Sequence, residues 1–429
     1  MRELLLILIA STALGQGRFD RFNQRTDQGR STRGFEQSNY AFFEAFPASG
    51  AGVGAACACT TPTGAKGETM TFTRTGDATC SRQGLATTGI ANGDLVVCTG
   101  NQPRVESSGG VLGLRVEGAR TNEALRSSDW ANAVWVGASG GVAAPTITAD
   151  QAVAPDGTTT ADRIQVPATT SGQYSYIYQS GFSSVQRTTS FFVKGNGSSG
   201  SINLLSGTTP NACVSCAYVA DSWTRCSLPS STTASTFFFV GNDSLSAVCT
   251  TSSKGAIDAF VWGAQHETGL FATSYIPTVA ATVTRNADRG HLALASTPKG
   301  ADGLYSMSAT LETLYNVNRT WEALLISAGG AAPYVSMLSN AAQNRCESNN
   351  GTSLTATGTA SGPSGRFTCW NDGSNEQGIS NGVAFSGPVA GVRSGVGINR
   401  INVATGSAGY EIEGVITRVC VDPNPTRCR

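Results

Sequence analysis

Few side chains in this 429-residue sequence are spaced to do chemistry. Glu411 and Glu413, in "YEIEGV", stand two positions apart. Glycoside hydrolysis needs two carboxylates facing each other across a sugar, whereas such a pair on a strand shares one face. The two glutamates therefore read as a solvated strand face, and a polysaccharide hydrolase ranks last among the functions the sequence allows. A Ser–His–Asp site is equally poor. The two histidines, His266 and His291, fall in loop-like contexts, and no helical pattern completes the strand–turn–helix of a nucleophile elbow. The glycines of "GGVLGLRVEG" precede a strand and no helix, so they build no dinucleotide cradle. No catalytic residue is expected, and the protein reads as a non-enzyme.

Binding chemistry is better represented. "QYSYIYQ" puts Tyr174, Tyr176 and Tyr178 on one face of a strand. Trp262, in "AIDAFVWGAQ", and Trp135, after "SSDWANAVW", complete the set of aromatic candidates. A ring can cover the flat C–H face of a sugar while its edges leave room for hydrogen bonds. Aromatic alternation also fills sandwich cores, so the direction of the stripe decides between the two roles. In "APDGTTTAD", Asp156 and Asp162 could offer oxygens to a structural calcium, but a Pro-Asp-Gly turn explains the same residues. The turn is preferred, and no metal or cofactor is expected.

Composition narrows the class. Charged residues make up 14%, with 29 basic balanced by 29 acidic side chains, so no electrostatic grip on nucleic acid is expected. The start, "MRELLLILIASTALGQG", has a basic n-region at Arg2, an apolar run over residues 4–10 and small residues at 13–15, the pattern of a secretory signal over 1–15. The run is too short to span a membrane. Residues 16–45 read as a disordered linker, low in aliphatics and rich in Arg, Gln and Ser. Twelve cysteines fall in three groups of four: Cys57, Cys59, Cys80 and Cys98; Cys213, Cys216, Cys226 and Cys249; Cys346, Cys369, Cys420 and Cys428. An exported chain meets an oxidising compartment, so each group is expected to close its own disulfides, with three pairings open to it. "CVSC" has zinc-ligand spacing, but no second such pair follows.

Short alternating segments punctuated by Gly, Asn and Asp make the rest an all-β chain. An N-terminal β region spans 46–121. The middle region, 122–280, carries regularly spaced strands such as "RTTSFFVKG", "SINLLSG" and "TFFFVGND", the texture of a β-sandwich. Residues 285–429 repeat that texture, with a hairpin signal at Asn381-Gly382. "TNEALRSS" is the one short helical candidate. "TFTRTGD" (71–77) is echoed by "TVTRNAD" (282–288), which suggests a repeated junction element. In "VWGAQHETGLFATSYIPT" the last core strand is expected to stop at Trp262-Gly263, turn through Gln265, His266 and Glu267, and leave extended before Pro277.

Taken together, "EGARTN", "SSDWANAVW", "VAPDGTTTADRI", "SFFVKG", "DSWTRCSL" and "WGAQHETGLFATSYIPT" resemble a module of phage fibre, head-spike and bacterial surface proteins that is similar to jelly-roll carbohydrate-binding modules. The end of the chain, "FTCWNDGS…ISNGVAF…GVGINR…EIEGVITRVCVD", looks like a concanavalin A-like or laminin-G-like lectin sandwich, without a clear metal-ligand cluster. The E-x-D-x-x-E strand of concanavalin-like glucanases is absent. The resemblance implies tandem β-sandwiches in a secreted or cell-surface protein whose partner is a polysaccharide or cell-surface glycan, bound without catalysis. The alternative is a self-assembling homo-oligomeric component of a fibre, spike or extracellular matrix.

Overall fold

Period-two alternation gives the strands between 136 and 268 one apolar face each, and two sheets bury those faces against each other. The computed structural model describes residues 41–44, 57–59, 61, 70–82, 84, 87–108, 111–207, 210–229 and 236–293, and the strands between 305 and 422. One sheet of the middle region orders Thr146–Ala152, Ala161–Val166, Ile257–Thr268, Arg187–Gly195 and Thr224–Leu228. The other orders Pro210–Tyr218, Gly200–Gly207, Phe237–Asp243, Tyr174–Ser180 and Val136–Gly140. Phe191, Val193 and Val261 of the first meet Ile177, Leu204 and Phe238 of the second in a shared core. Cys216–Cys226 staples the two sheets together. The protein is all-β: among the described residues the only helix is the 3-10 turn Ala247–Cys249, and "TNEALRSS" forms strand end, bends and turns.

Strand Arg187–Gly195 is buried on both faces because the outer face of its sheet is covered as well. Phe192, Trp223, Trp262 and Tyr275 pack there with Ile90 and Leu95 from the N-terminal region. Ile90 and Trp223 exchange backbone hydrogen bonds at 3.0 and 2.7 Å. The N-terminal strands also cross to the far end of the chain. Arg104–Ser108 and Val111–Val116 extend the sheet of Gly414–Asp422 and Tyr305–Thr313, and Met70–Thr73 pairs with Arg289–Ala293 in a second sheet. Cys346–Cys369 links these two sheets. Cys57–Ala58, Met70–Thr73, Arg104–Ser108 and Val111–Val116 thus lie in sheets shared with the C-terminal third, whereas Ala78–Ser81 and Leu95–Cys98 pair with each other. Strand Ala41–Glu44, inside the stretch expected to be linker, pairs with Gly414–Asp422. The expected signal over 1–15 and the rest of the linker lie outside the described residues. Among those described, no helix is long and apolar enough to cross a membrane.

The strand of "AIDAFVWGAQHET" does not stop at Trp262. It runs Ile257–Thr268, and Gly263, with φ +68°, makes a bulge between the pairings Phe192–Trp262 and Ser190–Gln265. A bulge inserts one residue and shifts the inward phase. Ile257, Ala259 and Val261 face the core before it; Ala264 joins that core after it, and His266 rings with Phe238 at 6.0 Å. His266 is therefore a buried strand residue bonded to Thr189 Oγ1 at 3.0 Å, not a turn residue. Gln265 and Glu267, pointing the other way, clamp the returning tail. Gln265 accepts from the Ile276 amide at 2.7 Å, and Glu267 accepts from the Thr273 amide and hydroxyl, both at 2.7 Å.

That tail ends in a buried ionic hub. Glu117, of "EGARTN", accepts from Arg104 at 2.7 Å, from Arg115 at 2.7 Å, from Arg285, and from the Ser274 amide and hydroxyl at 2.9 and 2.6 Å. Asp288 accepts from Arg74 at 2.9 Å and from Arg104. Glu106 pairs with Arg115 at 2.5 Å and caps the Ser81 amide. The two echoing "TR" phrases supply Arg74 and Arg285, and the Asn286 amide donates to the Thr75 carbonyl at 3.0 Å. The echo is a junction: both copies meet where the middle sandwich joins the shared sheets.

Candidate functional site

Strand Tyr174–Ser180 alternates in burial, with Ser175, Ile177 and Gln179 inward and the three tyrosines outward and half-buried. Ile177 enters the core, while Gln179 bonds the Leu125 amide and carbonyl at 3.0 and 2.6 Å. These inward anchors fix the phase, so the stripe faces away from the partner sheet. The neighbouring strand supplies two more rings through its register, Tyr178 opposite Phe239 and Ser180 opposite Phe237. Tyr174 stacks on Tyr176 at 4.9 Å, Phe237 on Phe239 at 5.2 Å, and Tyr176 meets Phe239 edge-on at 5.0 Å. Leu205 and the Cys213–Cys249 disulfide border this shelf. Burial, with smaller help from the neighbouring Tyr174, Asp243 and Tyr178, pushes the Tyr176 phenol up to about 12. It stays protonated, able to donate a hydrogen bond at any ordinary pH.

Gly241 lies opposite Tyr176 with φ +152°. A Cβ there would come 2.4 Å from the Ser175 carbonyl oxygen and 2.6 Å from Tyr176 Cα. Gly241→Ala is therefore expected to destabilise the protein by more than about 1 kcal/mol, read from thermal unfolding, and to push the Tyr176 strand outward.

The two tryptophan candidates belong elsewhere. Trp135 is 5% exposed, stacks face to face on Trp130 at 4.4 Å and donates to the Arg126 carbonyl at 3.2 Å. Trp262 is 1% exposed, lies 4.5 Å from Tyr275 and donates to Thr160 Oγ1 at 3.0 Å. Neither presents a face to a ligand, so both are corrected from binding to core residues. Asp156 closes a turn by accepting the Thr158 amide and hydroxyl at 3.0 and 2.6 Å. Asp162 is spent on three backbone amides, those of Trp130, Ala131 and Asp150, at 2.6, 3.0 and 2.9 Å. Burial still pushes its carboxyl up against their pull. No group of metal-ligating side chains occurs among the described residues.

The remaining candidates divide. His291 sits on the strand Arg289–Ala293. Glu411 and Glu413 lie outside the described residues. Ten of the cysteines pair as Cys57–Cys80, Cys59–Cys98, Cys213–Cys249, Cys216–Cys226 and Cys346–Cys369, each within its own group. The Cys420 side chain and Cys428 lie outside the described residues. "TFFFVGND" shares the alternation that marks the tyrosines, but local sequence does not single out Phe237 and Phe239; only the cross-strand register brings the two stripes together.

Fold and shelf define an all-β protein of stacked sheets with an aromatic surface on one outer face. The chain matches no known protein family and no curated protein. Similar solved structures include NanB plus Optactamide, 13% identical with a TM-score of 0.26, covering 30% of this chain and 23% of that one. The domains LG4-5 of the mouse laminin alpha1 chain are 12% identical with a TM-score of 0.21, covering 60% and 87%. Truncated AlyQ with CBM32 and alginate lyase domains is 12% identical with a TM-score of 0.21, covering 67% and 99%. The chain spans less than a quarter of the first of these.

Proposed function

We propose that this protein binds polysaccharide or cell-surface glycan outside the cell, without catalysis, through the shelf of Tyr174, Tyr176 and Tyr178. The observation that carries the reading is the outward direction of these rings, half-buried and packed against Phe237 and the buried Phe239. If one ring covers about 80 Å² of sugar, its contact contributes about 2 kcal/mol before entropic losses. Two or three rings then give weak single-site affinity, and firm attachment comes from repeated copies. The disulfides support an oxidising, extracellular setting.

Tyr174→Ala combined with Tyr178→Ala is expected to weaken glycan binding by more than about tenfold, with Tm lowered only modestly because both rings are half-exposed. A glycan array and a pull-down on envelope polysaccharide measure this. Absence of binding by the unaltered protein at high concentration would sink the proposal. The alternative, self-assembly, draws support from Val136, 44% exposed and opposite Tyr178 on the edge strand, where a second copy could cover the shelf. Light scattering that finds only monomer at high concentration rejects that alternative.

A further inference from the structure

The tyrosine shelf has a polar flank. In strand Gly200–Gly207 of the same sheet, Ile202 and Leu204 enter the core, so Asn203 between them points to the outer face that the shelf occupies. The register aligns Ser215, Asn203, Gly241 and Tyr176 across four adjoining strands. Gly241 contributes no side chain, which makes Asn203 the next side chain beyond Tyr176 in this row. Leu205, two residues on, borders the shelf, and Ser201 and Ser215 beside Asn203 are exposed.

Asn203 itself is 3% exposed, and its Nδ2 has no hydrogen-bond partner. A buried donor left unpaired is costly, and native structures rarely keep one without a use. The charged groups around the shelf are already spent. Asp243, opposite Tyr174, accepts from the Leu245 and Ser246 amides, both at 2.8 Å. Lys254 turns its ammonium to the Cys249 carbonyl and the Thr250 hydroxyl, at 3.0 and 3.1 Å. The Asp243 carboxylate lies close enough to help keep the Tyr176 phenol protonated. An anion laid on the rings would therefore meet a like charge, which is costly at a binding surface.

We propose that Asn203 sets the specificity of the shelf: with the flat face of a neutral sugar on Tyr176, its Nδ2 donates to a hydroxyl or ring oxygen at the sugar's edge, and acidic sugars are rejected. A side-chain adjustment at the shelf brings the amide to the ligand. This rests on the reading of the shelf as a glycan site, and adds to it the chemical class of the ligand and the residue that selects it.

Amide NMR of the full chain, with the Asn203 side-chain amide assigned through its own Cβ, tests the assignment. The titrants are cellotetraose, maltotetraose, mannotetraose and chitotetraose, and separately tetragalacturonate. At least one neutral sugar is expected to shift the backbone amides of residues 174–178 and the Asn203 side-chain amide together. Because the donor is unpaired in the free protein, Asn203→Leu relieves a cost and breaks no bond. Its Tm is expected to hold or rise while binding weakens roughly tenfold, a combination that a structural asparagine would not give. Should that variant not fold, the side-chain resonance of the unaltered protein still decides. Shifts at 174–178 without the Asn203 amide, a preference for tetragalacturonate, or normal binding by Asn203→Leu overturn this inference and leave the shelf standing. No shift at 174–178 with any of these sugars rejects the shelf, and the inference with it.

Discussion

Glu117→Gln is expected to destabilise the protein by about 3–5 kcal/mol, because removing one member of a buried charge network strands the others. Four guanidinium groups, those of Arg74, Arg104, Arg115 and Arg285, share three carboxylates, those of Glu106, Glu117 and Asp288. The side chains of Arg104, Arg285, Glu117 and Asp288 have no solvent exposure to fall back on. Glutamine keeps the shape but neutralises the acceptor that three arginines and Ser274 share. Denaturant unfolding measures the loss as a lower midpoint, and a change within the error of the measurement would show that the hub does not hold the junction.

The same residue sets an acid dependence. Burial alone would raise the Glu117 carboxyl; Arg115, Arg285 and Arg104, with the Ser274 hydroxyl, overcome it and hold the group well below its ordinary value of 4.5. A carboxylate depressed in the folded state stabilises fully above its unfolded pKa. It loses that contribution as pH falls through the folded one. The stability of the unaltered protein should therefore begin to fall below pH 4.5 on account of this group, while Glu117→Gln lacks that component. The gap between the two is expected to narrow as the solution is acidified, and a gap that widens would contradict the assignment.

Local rules carried most of the fold. Alternation in "QYSYIYQ" and "RTTSFFVKG" fixes strand and phase, and cysteine grouping fixes which residues can pair. Alternation states that Tyr176 and Ile177 face opposite ways, but only the partner sheet decides which way is out. It fails at Gly263, since a one-residue bulge is invisible to a period-two count and moves His266 from a turn into the core. It fails also where distant segments meet. Arg74 and Arg285 are far apart in sequence, and their repeated context marked a junction without naming Glu117 or Asp288 as the acceptors. For the same reason the sharing of sheets between residues 57–116 and 289–422 is a long-range pairing that no local segment encodes.

Trp262→Ala is the second large effect expected, about 3–5 kcal/mol, and it separates packing from binding. Period two places Trp262 on the outer face of its sheet, the side where a ligand would sit if nothing covered it. Ile90 and Leu95, more than half the middle region's length away in sequence, cover it together with Phe192, Trp223 and Tyr275. Deleting the indole opens a cavity beneath that cover and takes with it the bond to Thr160 and the 4.5 Å contact with Tyr275. The N-terminal cover then loses the surface it closes on, so the region around Ile90 and Leu95 should lose amide-exchange protection before the core around Phe191 and Ile177 does. The folded fraction of Trp262→Ala should bind glycan as the unaltered protein does, because the shelf lies on the other sheet. A variant with normal stability and lost binding would return Trp262 to the ligand site and remove the physical basis for treating covered and uncovered aromatic stripes differently.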